Sequence, residues 1–252
     1  MDKLIYTAFN TLNNIYDNRS VRAQNMANVN VPGYRRDLGT KSVGSAFLEA
    51  ENTFQARALA IRDDTNIFES DPGTLSQTGN DMDIALRGDG YFMVTAPGSE
   101  PSLTRRGDLN VNTDGFLVNG SSQVFLDKNL QPIQIGAYRA LKVADNGDIF
   151  VEPLGSEPGT KELVATIGMT SGAGENLKKF ADGQIRAENG GLPLADQVPT
   201  IVQKHVELSN VNITEELVNT IEDQRAYEVN IKLITSAAEA DEAGASLMRM
   251  PS

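Results

Sequence analysis

The chain of 252 residues has no cysteine, no tryptophan and a single histidine. Without cysteine there is neither a disulfide framework nor a thiolate metal site, and His205 alone cannot build a histidine-based zinc or catalytic constellation. There is no apolar run of about 20 residues that would cross a bilayer, and no basic, hydrophobic, small-residue leader at the start. By that criterion alone the chain is expected in the cytoplasm. Positive charge is also scarce: 22 Lys and Arg stand against 34 Asp and Glu, a net charge of −12. Such a balance argues against nucleic acid or an anionic membrane as partner, and no membrane insertion is expected.

What the chain does have is an apolar stripe at each end, spaced alternately by three and four. The first runs Ile5, Ala8, Leu12, Ile15, Arg19, Arg22, Met26, Val29, the spacing of heptad a and d positions. The second runs Leu217, Thr220, Gln224, Tyr227, Ile231, Ile234, Ala238, Asp241, Ala245, Met248, flanked by Val218 and Ile221. A long terminal helix that cannot bury its stripe alone is suited to assembly; the same spacing also suits an amphipathic helix lying on its own domain. The polar interruptions would be costly in a dry dimer core and tolerable among several neighbours.

Asn28, Asn30, Pro32 and Gly33 punctuate the end of the first helix, since a residue before proline avoids the helical region and glycine permits a left-handed turn. Ser209, Asn210, Asn212 or Thr214 can cap the second, with Glu215 and Glu216 where the helix dipole favours negative charge. Residues 1–40 carry five basic and three acidic side chains, residues 205–252 three basic and nine acidic. Opposite signs favour pairing of the two ends, within or between chains.

Between the helices the pattern is β. Asp89-Gly90, Asp114-Gly115, Asn119-Gly120, Asn146-Gly147 and Asp182-Gly183 are hairpin-type corners beside short apolar or β-branched runs. Segments 109–118 and 141–151 alternate apolar residues around such a corner, which predicts paired hairpins in an antiparallel sheet or small barrel.

Chemical motifs are weak. Ser171 to Lys179 is glycine-rich but lacks the spaced Gly-Lys-Ser/Thr of a phosphate loop. Asp81, Asp83, Asp145 and Asp148 lack the ligand count of a calcium loop and read as solvated turns; as paired carboxylates they leave a glycan-cleaving activity as a minor alternative. Arg87-Gly88-Asp89 and Arg106-Gly107-Asp108 repeat an adhesion tripeptide at expected turns. No cofactor or metal, and no enzyme activity, is expected.

Three ordered blocks are similar to bacterial flagellar rod and hook proteins. Ala23-Gln-Asn-Met-Ala-Asn-Val-Asn-Val-Pro-Gly-Tyr34 resembles their N-terminal signature. The stretch Thr78 to Val94, with Leu103 to Asp108 and Asp114 to Val118, resembles the segment shared by the longer rod proteins and the hook protein. Ser209 to Asn212, Glu215, Glu216 and Gln224-Arg-Ala-Tyr-Glu228 resemble the C-terminal signature. Gln24 and Val31 depart from the usual asparagine and threonine. The chain is too long for the short rod proteins and too short for the hook protein, and its two termini are more similar to the proximal-rod type, with the distal-rod type as the alternative and a secreted adhesin as a remoter one.

The resemblance implies a structural subunit of the basal-body rod, exported through the flagellum's own type III channel, which replaces the cytoplasmic expectation. Its implied partners are further copies of itself, other rod proteins and the export apparatus. Its termini are expected to be disordered in the monomer and helical on assembly. The expected fold is α+β, mostly β, with a central antiparallel β domain (76–204, barrel- or sandwich-like). An extended linker (36–75) and a discontinuous helical assembly domain (1–35 with 205–252) that forms a coiled-coil-like layer complete it. Ile5, Leu12, Ile15, Val29, Leu217, Tyr227, Ile231 and Ile234 are the expected contacts. Asn25, Asn28 and Gly33 would shape the helix end, and Gln224 and Arg225 would tie neighbouring helices.

Overall fold

A computed structural model describes residues 2–39, 42–49, 56–62, 67–180 and 182–248. Among them are two helices, α1 (Asp2–Ala27) and α2 (Ile213–Met248), and short strands that pair antiparallel. The chain is mostly β outside its ends. It divides into two units: residues 1–27, 37–67 and 212–252 form the helical unit, and residues 28–36 with 68–211 form the β unit.

In the helical unit, α1 stops before the turn at 28–30, where the Val31 amide donates to the Asn28 carbonyl (3.0 Å). α2 begins behind Asn212, whose side-chain oxygen accepts from the amides of Thr214 (3.0 Å) and Glu215 (3.3 Å). That is an N-cap satisfying two of the amides a helix start leaves bare. The two helices pack along each other, and a hairpin of Ser42–Glu49 with Ala56–Arg62 lies beside α1. The hairpin falls within the span 36–75 that the sequence suggests as a linker; residues 40–41, 50–55 and 63–66 of that span lie outside the described residues.

The β unit is organised around the strand Tyr91–Thr95. Side chains alternate across a strand, and here both faces are buried. Phe92 and Val94 point into one core with Ile84, Leu117, Phe125, Ile149 and Ile167. Tyr91 and Met93 point into a second with Phe68, Leu103, Leu126 and Ile185. The Phe92 and Phe125 rings meet edge to face at 5.6 Å between centroids, an arrangement their quadrupoles favour. The strand pairs with Pro101–Thr104, Val124–Phe125 and Met169–Thr170.

The alternating segments fold as expected. Leu109–Val111 pairs with Leu117–Asn119 around Asp114-Gly115, and Tyr138–Val143 pairs with Asp148–Pro153 around Asn146-Gly147. Glu162–Thr166 extends the second hairpin to three strands. Near the end of the unit, Thr200–Gln203 pairs with Ile84–Arg87, and His205–Glu207 with Leu75–Gln77. These last pairings bring the segment preceding α2 onto strands that open the β unit.

Phe92→Ala should lower the unfolding free energy by about 3–5 kcal/mol in urea denaturation, the usual cost of an aromatic cavity. Leu163→Ala, on an exposed edge-strand position, should change it by less than about 0.5 kcal/mol.

Candidate assembly surface and the buried arginine cluster

Three charged side chains lie together in the interior of the β unit. The Glu207 carboxylate accepts from Arg105 through Nε and Nη2 (both 2.6 Å) and from Arg35 Nη2 (2.9 Å), with all three side chains at most 3% exposed. Its Oε1 also accepts from the Gly73 amide at 2.9 Å. Arg105 Nη1 donates to the carbonyls of Gly88 (2.9 Å) and Gly90 (2.7 Å), and Arg35 Nη1 to that of Asp71. A buried charge survives only when paired and hydrogen-bonded. Burial pushes the Arg35 guanidinium down from its ordinary value, and Glu207 opposes that push. Burial likewise raises the Tyr91 phenol, against the pull of Arg35 and Arg105.

The same cluster fixes the two segments adjoining the helices in sequence. The Gly33 amide donates to the Glu207 carbonyl (2.8 Å), and the Asn210 amide to the Tyr34 carbonyl (3.3 Å). The Arg36 amide donates to the Asn210 side chain (2.7 Å), which itself donates to the Glu69 and Asp71 carbonyls. Lys179 sits over the Tyr34 ring, 4.1 Å from its centroid. Gly33 has φ +67°, and a Cβ there would come within 2.4 Å of the Arg105 backbone; only glycine meets both conditions.

In the helical unit the surface between α1 and α2 is largely polar. Arg22 Nε donates to Asp223 at 2.6 Å and Nη1 lies 3.6 Å from Glu216. Asn25, buried, donates to Glu216 (3.2 Å) and exchanges two hydrogen bonds with the Asp37 backbone. Ala8, Ile15 and Ala237 supply apolar contact, while Asn14 is 4% exposed with neither side-chain polar atom hydrogen-bonded. The buried and half-buried positions of α2 run Glu216, Asn219, Thr220, Asp223, Ala226, Asn230, Ile234, Ala237, Gly244. This seam starts one residue before the apolar stripe read from the sequence.

The expected contact residues therefore fall in two groups. Ile15 and Asn25 are buried, and Ile5, Leu12, Asn28, Val29, Gly33 and Ile234 are half-buried. Leu217 (51%), Tyr227 (40%) and Ile231 (40%) are exposed. Gln224 and Arg225 are exposed as well, with Gln224 donating to Glu228 one turn on. Two exposed aromatics escape the stripe reading, Phe9 (56%) and Tyr16 (76%). Their spacing of seven is the signal that marks them. The buried cluster was missed too, because Arg35, Arg105 and Glu207 share no sequence spacing.

The weak motifs have structural roles. Arg106 holds Asp108 with two bonds of 2.7 Å, and a Cβ on Gly107 would come within 1.9 Å of the Ile84 carbonyl. Asp148 accepts from Thr166 and Asn146 across its hairpin, Asp81 pairs with Lys204, and His205 lies in its strand with Nδ1 2.9 Å from the Gln203 carbonyl. Among the described residues no group of three or more His, Asp or Glu is placed to hold a metal, and no helix is long and apolar enough to cross a membrane.

Comparison with known proteins places these features. Residues 85–151 match the family described as flagellar hook protein FlgE/F/G D1 domain, and residues 202–247 that described as flagellar basal body rod FlgEFG protein C-terminal. The chain is 27% identical to the flagellar basal-body rod protein FlgF of Salmonella typhimurium, covering 99% of this chain and 100% of that one. It is 31% identical to the rod protein FlgG of Buchnera aphidicola over 87% of this chain and 90% of the other. With FlgF of Escherichia coli the identity is 27% over 94% of each. The chain belongs to the flagellar basal-body rod protein family.

Glu207→Gln leaves two buried guanidinium groups without their counter-charge, and urea denaturation should register a loss of about 3–5 kcal/mol. Arg22→Ala, at a partly exposed pair, should cost no more than about 1 kcal/mol. Because the folded Tyr91 phenol ionises later than the unfolded one, its contribution is intact at neutral pH and falls as pH rises above about 10. Tyr91→Phe should flatten that part of the stability profile.

Proposed function

We propose that this chain is a structural subunit of the proximal flagellar rod, joined to its neighbours through the outward faces of α1 and α2 in a helical tube that transmits torque. The observation carrying this reading is the inversion of the helix pair. Arg22, Asn25, Glu216 and Asp223 are turned inward, while Leu217, Val218, Ile221 and Ile231 face solvent. Exposed apolar patches on otherwise soluble proteins mark association surfaces, and the family of the chain supplies the assembly. A contact repeated with rotation and rise builds a tube rather than a closed dimer. In this reading the helices of successive copies form a coiled-coil-like layer.

The relatives of this chain include both FlgF and FlgG rod proteins. The match to the Salmonella FlgF, end to end, supports the proximal position over the distal one. Delivery through the flagellum's own export channel and association with other rod proteins follow from that position.

A strain whose copy of this gene carries Leu217→Glu with Ile231→Glu should make a folded protein, since exposed substitutions cost little stability, yet lose rod incorporation and swimming. Normal motility and normal rods in that strain would refute assembly through this face. Asp81, Asp83, Asp145 and Asp148 changed together to Asn should leave rod formation and the level of cell-wall cleavage unchanged; loss of wall cleavage would revive an enzymatic role.

A further inference from the structure

We propose that successive copies of this chain join through two unlike patches on opposite sides of the helix pair, with Phe9 and Tyr16 of one copy seated against Leu217, Val218 and Ile221 of the next. The proposal rests on the rod-subunit reading and narrows it to one contact. Phe9 and Tyr16 are 56% and 76% exposed and lie two turns apart on α1; Leu217, Val218 and Ile221 are 51%, 50% and 55% exposed on the first turns of α2. Each group is turned away from the other helix, whose contacts are made by Ile15, Arg22 and Asn25 on one side and Glu216 and Asp223 on the other.

The helices run antiparallel, because Asn25 meets Glu216 while the earlier Arg22 reaches the later Asp223. The two patches therefore look in opposite directions, and residue levels separate them by nine or ten positions, roughly 15 Å along the axis at 1.5 Å per residue. Unlike patches on opposite sides cannot pair with themselves to close a dimer; they join head to tail and continue. Successive copies would be staggered along the helix axis by roughly that 15 Å.

Charge selects the partner. α2 carries eight acidic and two basic side chains, α1 two acidic and three basic. One α2 face repels another and accepts an α1 face. Arg19 is exposed close to Tyr16, whereas the α2 patch is flanked by two exposed acidic side chains, Glu215 and Glu222, against one basic, Arg225.

The chain has no cysteine, which makes cross-linking decisive. Tyr16→Cys and Leu217→Cys are placed in separately tagged copies, co-expressed, and oxidised in isolated basal bodies; because the helices run antiparallel, Phe9→Cys with Ile221→Cys provides a second pair. A disulfide needs Cα atoms within about 7 Å, so a bond within one copy, across the helix pair, is excluded. The expected result is a mixed dimer carrying both tags, absent after reduction, with a ladder of multimers when both cysteines sit in one chain. Dimers from Leu217→Cys alone at the same yield would overturn the pairing, as would rods holding both variants without a mixed dimer. The tagged wild-type chain is followed in the same preparations. Its failure to enter rods would overturn the rod reading itself, whereas entry without the mixed dimer overturns only the contact proposed here.

Discussion

A carboxylate shared by two buried arginines is the constraint around which the β unit is arranged. Glu207 accepts from Arg35, Arg105 and the Gly73 amide, so segments from the start, the middle and the end of the unit converge on one side chain. One acidic against two basic groups leaves a surplus of positive charge in the interior, and the backbone answers it. The carbonyls of Gly88, Gly90 and Asp71 turn toward the guanidinium groups. Such a site often contributes no more net stability than hydrophobic packing of similar volume, but removing one partner leaves an uncompensated buried charge. Its consequence is local: residues 33–36 and 207–210 run side by side, hydrogen-bonded backbone to backbone.

The helical unit follows a different economy. Its internal surface is held by Arg22, Asn25, Glu216 and Asp223 with Ala8, Ile15 and Ala237, while Phe9, Tyr16, Leu217, Val218 and Ile221 remain in solvent. A helix pair intended to stand alone would bury the apolar side and expose the polar one. Here directional hydrogen bonds fix which face of α2 meets α1, and apolar side chains such as Leu217, Val218 and Ile221 are left exposed. Charge contrast between the two helices adds selectivity, since packing acidic α2 on another α2 is opposed by repulsion. The polar interruptions in the two stripes are thus in part the residues that pair the helices within one chain, as Arg22 is.

Much of the framework was legible in the residues because its causes are local. Asn212 caps α2 from two residues away, the turn at 28–30 ends α1, and the Asp-Gly and Asn-Gly corners place the hairpins at 109–119 and 138–153. The family resemblance was likewise legible: its central block overlaps the matched region 85–151 and its C-terminal block lies within 202–247. Periodicity gave the spacing of the α2 stripe but not its phase. A heptad spacing shows that some face is distinct; which face turns toward the neighbouring helix depends on partners such as Arg22 and Asn25, almost 200 positions away in the chain.

Two terminal helices with their ends, an antiparallel β middle, the absence of thiols and a single histidine could thus be read from the residues alone. Those properties depend on dihedral preferences, capping and alternation over a few neighbouring residues. Only the tertiary structure decided that Glu207 lies between Arg35 and Arg105, that Tyr91–Thr95 is buried on both faces between two cores, and that Phe9, Tyr16 and Leu217 stand in solvent while Asn14 and Glu216 do not. Burial and charge pairing are decided by segments distant in sequence, and no local pattern encodes which distant segment arrives.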